Sequence, residues 1–239
     1  MCNTPGAPSQ STAEHAVALI FATAKNVVNA DRRVRAGDWH ANFRTSKGLE
    51  LSGRVLGLIG AGRIGGLVAR MMGVVGMRVL AFDPALGVER AGELGVERVA
   101  SLEELLRQSD VVSLHAPATA ENRHLMNAER LGWMKRGAIL INTSRGALVD
   151  EVALAAVLRS GQLGAAGLDV FEREPVDAAN LLLGMENVVV TDHIASHTWA
   201  GHHRLYETAV SQLLGVLRGE RPSTVLNPGV WDIVERTGR

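Results

Sequence analysis

The chain has a single cysteine, Cys2, so no intrachain disulfide can form. That fits a reducing compartment, and a cytoplasmic location is expected. It has no charge of either sign in excess: 25 Lys and Arg balance 25 Asp and Glu. Nucleic-acid and anionic-membrane roles both lean on surplus cations, so neither is expected. No apolar run reaches membrane-spanning length. Residues 1–14 lack the basic and apolar stretches of a signal peptide. Internal repeats and low-complexity tracts are absent. What remains is an ordinary globular composition of 239 residues, 46% hydrophobic and 21% charged. That is enough for one large domain or two small ones around a sizeable core. The 26 glycines exceed the usual share and point to tight turns or close backbone approaches.

Residues 1–9 read as an extended lead-in. A helix is predicted from Ser11 to about Val34, capped by Ser11 or Thr12, with Glu14 completing a capping box. A polar connection over 36–50 holds Trp39 and Phe43. Beyond it the pattern becomes short apolar runs alternating with helices. Strands are predicted at 54–59, 78–82, 110–114, 137–141, 165–168 and 187–190. Helices are predicted at 64–75, from Ser101, from Asp150 to Leu158, and over 200–218, with a tail containing Pro222 and Pro228. Such alternation implies an α/β fold, a doubly wound parallel sheet covered on both faces.

The run Gly60-Ala61-Gly62-Arg63-Ile64-Gly65 follows the first predicted strand and opens the next helix. Gly60 permits the tight turn, Gly62 lets a pyrophosphate approach the backbone, and Gly65 lets the helix lie close to the strand. The phosphates would sit on the helix amino terminus, where free N–H groups favour negative charge. Asp83, at the end of the second predicted strand, can accept hydrogen bonds from the ribose hydroxyls and would repel a 2′-phosphate. A Rossmann-type domain taking NAD rather than NADP is expected.

Further along come His115-Ala116-Pro117, Asn142-Thr143-Ser144-Arg145-Gly146, Asp150-Glu151, Gly167-Leu168-Asp169-Val170-Phe171, Glu174-Pro175 and Thr191-Asp192-His193-Ile194-Ala195-Ser196. In order and spacing this series resembles the D-2-hydroxyacid dehydrogenase family, from about Thr4 to Gly229. The resemblance implies an NAD-dependent oxidoreductase passing hydride between nicotinamide and a small D-2-hydroxy or 2-oxo acid. It assigns Arg145 to the substrate carboxylate and carbonyl, a role that a planar guanidinium fork suits. It makes His193 the proton donor and acceptor, and Glu174 the partner that holds its tautomer. Asp169 resembles the acid that binds the nicotinamide carboxamide. Arg63 and Ile64 correspond to loop residues at the cofactor, and His115, Pro117, Thr143, Ser144 and Ser196 to residues along its path.

The resemblance also implies a segmentation: a lead-in, crossing helix and dimer arm over 1–47, the NAD-binding domain over 48–200, and a returning helix and tail of the substrate domain over 201–239. A homodimer is implied, formed by the opening helix and the segment around Trp39. The chain departs from the family in two ways. Nothing in it corresponds to most of the amino-terminal substrate domain, and Asp192 stands where the family usually has proline. The alternative reading is an NAD-binding interaction or sensing module with little or no turnover. No metal is expected. His193 and His197 lie four apart, with His202 and His203 following, but no set of ligand carboxylates accompanies them. Met71, Met72 and Met77 read as core filler, and Arg32, Arg33 and Arg35 as a solvated face or a subunit contact.

Overall fold

A computed structural model describes residues 1–39, 47–227 and 229–231. Phe43, Pro228 and the last eight positions of the tail lie outside the described residues.

The opening helix begins earlier than the sequence pattern implies and is broken. The first helix, α1, is Ser9–Ala24 and the second, α2, is Val27–Arg35. Ser11 and Thr12 therefore lie inside α1, and the N–H and Oγ1 of Thr12 both donate to Pro8 O. Between the helices Asn26 takes a left-handed conformation, φ 55°. Asn tolerates that region, so the helix stops where an apolar pattern alone would carry it on.

Next come β1 Val55–Ile59, α3 Arg63–Val74, β2 Arg78–Phe82, α4 Val88–Leu94, β3 Glu97–Arg98 and α5 Leu102–Gln108. Then follow β4 Val111–Leu114, α6 Ala128–Trp133, β5 Ala138–Asn142, α7 Glu151–Arg159, β6 Leu163–Leu168, β7 Val188–Val190 and α8 Trp199–Leu217. Two of the helices are capped by the residues that open them: Ser101 Oγ accepts from Glu104 N at 3.1 Å, and Asp150 Oδ1 from Ala153 N at 2.9 Å. Three elements exceed the predicted set. β3 is two exposed charged residues, and α4 and α6 are short and contain glycine, so none carries a clear periodic pattern.

The seven strands form one parallel sheet ordered β3-β2-β1-β4-β5-β6-β7. Successive side chains of β5 enter opposite layers. Ile139 and Ile141 join α1 and α3, while Ala138 and Leu140 join α5, α6 and α7. That two-sided burial is why the strands read as unbroken apolar runs. The strand order reverses between β1 and β4, whose carboxyl ends, Ile59 and Leu114, are paired. Open α/β sheets bind ligands at such a reversal.

The chain divides into two compact units, residues 13–195 and residues 1–12 with 196–239. Ala13, Ala16, Leu19, Ile20 and Ala24 of α1 are buried in the same cluster as the sheet. In the smaller unit, Thr198 Oγ1 caps α8 by accepting from Gly201 N at 2.9 Å and meets Ser11 Oγ at 2.7 Å. There Arg204 Nε donates to Ala7 O, and Cys2 bridges Val225. Among the described residues no helix is long and apolar enough to cross a membrane.

Candidate active site

The turn after β1 is shaped by what glycine lacks. Gly60 has φ 94°, and a Cβ there would stand 2.9 Å from Ala116 N. A Cβ on Gly65 would stand 2.2 Å from Gly60 O, so α3 can approach the turn only with glycine at that point. At Gly62 an added Cβ meets nothing within 4 Å, so the loop is open on that side. Arg63 and Ile64 start α3 from this opening, Arg63 exposed and Ile64 half-buried. Asp83, just past β2, braces the loop: its Oδ2 accepts from Ala61 N and its Oδ1 from Ala85 N, each at 2.9 Å.

The ends of β4 and β5 make the adjoining wall. His115 Nε2 meets Ser113 Oγ at 2.9 Å, and burial pulls the imidazole down to about 4, so it is neutral at physiological pH. Pro117 is exposed beyond it. Asn142 shapes the following turn, with Nδ2 donating to Arg145 O at 2.9 Å and Oδ1 accepting from Ser144 N at 3.0 Å. Ser144 Oγ donates to Ala116 O, joining the two strand ends. Arg145 is exposed, its Nη1 donating to Ser144 O at 2.6 Å. The buried hydroxyl of Thr143 has no partner among the described residues. An unpaired buried donor at the carboxyl end of β5, one strand from the reversal, fits a site built to receive a polar ligand.

Past β6 lies the densest polar cluster. Asp169 is fully buried. Its Oδ1 accepts from Thr191 Oγ1 at 2.6 Å and Ile194 N at 2.9 Å, and its Oδ2 from Ala195 N at 3.0 Å; His15 Nε2 lies 3.4 Å from Oδ1. Burial works to raise its pKa, but the bonds from His15, Thr191, Ile194 and Ala195 outweigh it and hold the group down to about 2. This carboxylate orients the 191–195 segment. Within that segment His193 is left-handed, φ 59°, its N–H on Asp169 O at 2.9 Å. Such a backbone costs roughly 1–2 kcal/mol in a residue with a Cβ. It brings His193 Nδ1 to 2.7 Å from Glu174 Oε2. Glu174 Oε1 accepts from Phe171 N. Burial pushes the Glu174 pKa upward, yet the bonds from His193 and Phe171 hold it below the usual carboxylate value. His193 Nε2 has no hydrogen-bond partner among the described residues. A cavity of about 780 Å³ opens beside the pair, lined by Asp169, Phe171, Val176, Leu183, Val190 and Asp192 among others.

The structure thus joins Glu174, His193 and Asp169 directly. Arg145 stands after β5, the strand next to the one that leads to Asp169. Ser196 belongs to the smaller unit, where its carbonyl accepts from Thr198 N. Among the described residues no group of three or more His, Cys, Asp or Glu is placed to hold a metal ion. Trp39 and Trp199 are exposed, whereas Met72 and Met77 are buried in the core. The sequence reading missed two partners of Asp169. Thr191 lies inside the quoted run around His193, but His15 sits on α1, and no local spacing links it to Asp169.

Residues 17–195 match the sequence profile of the D-isomer specific 2-hydroxyacid dehydrogenase NAD-binding domain. A glyoxylate reductase of Korarchaeum cryptofilum is 45% identical over 230 residues, which are 95% of this chain and 69% of that protein. A D-3-phosphoglycerate dehydrogenase of Methanocaldococcus jannaschii is 39% identical, covering 94% of this chain and 42% of its own length. The holo form of Rhodotorula graminis D-mandelate dehydrogenase superposes with a TM-score of 0.88 at 33% identity, over 93% of this chain and 67% of that one. The chain belongs to the D-isomer specific 2-hydroxyacid dehydrogenase family and carries its NAD-binding domain.

Proposed function

We propose that this member of the D-isomer specific 2-hydroxyacid dehydrogenases interconverts a small 2-oxo acid and its D-2-hydroxy acid, glyoxylate being the first substrate to test. Glyoxylate is favoured because the relative from Korarchaeum cryptofilum, 45% identical, is named a glyoxylate reductase. The observation that carries the reading is the His193–Glu174 pair beside an open cavity, on the carboxyl side of a sheet whose first turn is the glycine loop.

Gly60, Gly62, Arg63, Ile64 and Gly65 would hold the pyrophosphate, and Asp83 the adenosine ribose. His115, Pro117, Thr143 and Ser144 would line the rest of the path, with Asp169 at the carboxamide end. Bound there, the cofactor would supply hydride as NADH and accept it as NAD⁺. Arg145 holds the substrate carboxylate and polarises the adjacent carbonyl. Glu174 holds Nδ1 of His193 in its protonated form, which leaves Nε2 to give a proton to the substrate oxygen in reduction and take it back in oxidation. Two copies associate through the opening helices and the segment around Trp39, and light scattering giving a single-chain mass would oppose that pairing.

The test is NADH oxidation with glyoxylate, hydroxypyruvate, pyruvate and 3-phosphohydroxypyruvate. Oxidation that is lost in His193→Ala supports the assignment. Saturable NADH binding without oxidation by any of the four overturns it in favour of a cofactor-binding module.

A further inference from the structure

A second carboxylate–imidazole cluster is built on Glu172, two residues before Glu174, and the reaction proposed above does not use it. Glu172 and Glu151 clamp each other through their backbones: Glu172 N donates to Glu151 Oε1 at 2.6 Å, and Glu151 N donates to Glu172 Oε1 at 3.2 Å. The other oxygen of Glu172 takes His124 Nε2 at 2.7 Å and Arg123 Nη2 at 3.0 Å. The other oxygen of Glu151 takes Asn180 Nδ2 at 2.6 Å. His124 is left-handed, φ 50°, and its N–H donates to Ala147 O at 2.8 Å.

Three chain segments therefore meet at one carboxylate. The first, around His124, is laced to the second by Met126 N on Leu148 O and Asp150 N on Met126 O. The second begins at Arg145. The third runs from Phe171 to Glu174. The second and third touch with no side chain between them: a Cβ on Gly146 would stand 1.9 Å from the Phe171 carbonyl and 2.4 Å from Glu172 N. Phe171 N in turn holds Glu174 Oε1 at 3.0 Å. The peptide that Glu172 anchors thus abuts the residue after Arg145 on one side and holds the partner of His193 on the other.

The arrangement is costly for a stabilising device. It seats each of two carboxylates on the other residue's backbone N–H, pairs one of them with Arg123, and leaves the Glu172 side chain only 23% exposed. Apolar residues of similar volume would hold the same segments without taking charge out of water. What charged, directional bonds add is a fixed register between loops.

We infer that Glu172, with Glu151 and His124, is a positioning residue that sets where the Arg145 guanidinium stands relative to the His193–Glu174 pair. It touches neither substrate nor cofactor and acts through Gly146 and Phe171. The inference rests on the proposed roles of Arg145 and His193, so its test includes a readout that needs no turnover.

The experiment compares Glu172→Ala, Glu172→Gln and His124→Asn with the parent chain. Asn is chosen at 124 because it tolerates the left-handed backbone but does not reach Glu172 as the imidazole does. NADH affinity should stay within about twofold of the parent, because the glycine loop is untouched. The kcat/KM for the best 2-oxo acid should fall about 100-fold in Glu172→Ala, the size of loss that a 1 Å misplacement brings. Glu172→Gln, which keeps an acceptor oxygen, should recover part of it. Nitrogen-15 spectra of the His193 ring should show Nδ1 losing its fixed proton in Glu172→Ala and His124→Asn. Parent-like ring spectra in folded Glu172→Ala, or an unchanged kcat/KM where turnover is measurable, overturn the inference. If the parent neither binds NADH nor turns over, the proposed function fails, and the ring spectra still decide whether Glu172 sets the pair. If Glu172→Ala does not fold, His124→Asn decides in the same way.

Discussion

Nδ1 of His193 and Oε2 of Glu174 stand 2.7 Å apart although 19 residues separate them in sequence. Each is fixed from its own side, His193 by its N–H on Asp169 O and Glu174 by Phe171 N on Oε1. The bond uses Nδ1 and leaves Nε2 without a partner among the described residues, on a residue that lines the cavity. A general acid that must also serve as base in the reverse direction needs its tautomer held in this way.

Replacing His193 by Ala should lower kcat by about 100- to 10,000-fold, the usual range for a lost general acid. Glu174→Gln should give a smaller loss, because the amide still reaches the ring but can present the wrong group to it. NADH affinity should change little in both. Steady-state kinetics beside fluorescence titration check the split.

Gly62→Ala and Gly65→Ala should fail differently. Nothing lies within 4 Å of a Cβ at Gly62, so that variant should keep its melting temperature and lose NADH affinity. At Gly65 the Cβ would stand 2.2 Å from Gly60 O, so that variant should lose about 1–3 kcal/mol of stability as well. Thermal unfolding with and without NADH separates the two.

Asp169 ties stability to acid. Its pKa is held at about 2 in the folded chain, below the ordinary 3.8 of an aspartate, so the native state favours the carboxylate. The resulting stability, about 2 kcal/mol, is present above pH 4 and is lost as pH falls through 2. Urea unfolding at pH 6 and pH 2.5 should show the parent losing more stability than Asp169→Asn.

His115 works in the opposite chemical direction with the same slope. Burial lowers it from 6.5 to about 4, so the unfolded chain binds the proton first and stability rises with pH between these values. Proton NMR should show the ring neutral at pH 5.5, with a midpoint near 4.

Local pattern made much of this molecule legible. β1, the glycine turn and α3 were readable because a buried strand, a steric need for glycine and a helix start fall within one short run. Arg145, Glu174 and His193 were singled out by resemblance, and the structure brings the last two into contact. The break at Asn26 was hidden, because apolar spacing continues on either side of a residue whose backbone alone turns. β3 was hidden because two exposed charged residues carry no strand pattern. His15, Glu151 and Glu172 were hidden for a different reason: their partners lie far along the chain, and only the sheet order brings them together.

The most direct measurement is a titration of the chain, nitrogen-15 labelled in its histidine rings, with NADH. The account predicts that the His193 ring resonances move and saturate at one NADH per chain, with NADPH much weaker because Asp83 opposes a 2′-phosphate. A His193 ring that stays unmoved while NADH saturates elsewhere, or no saturation at all, would contradict it.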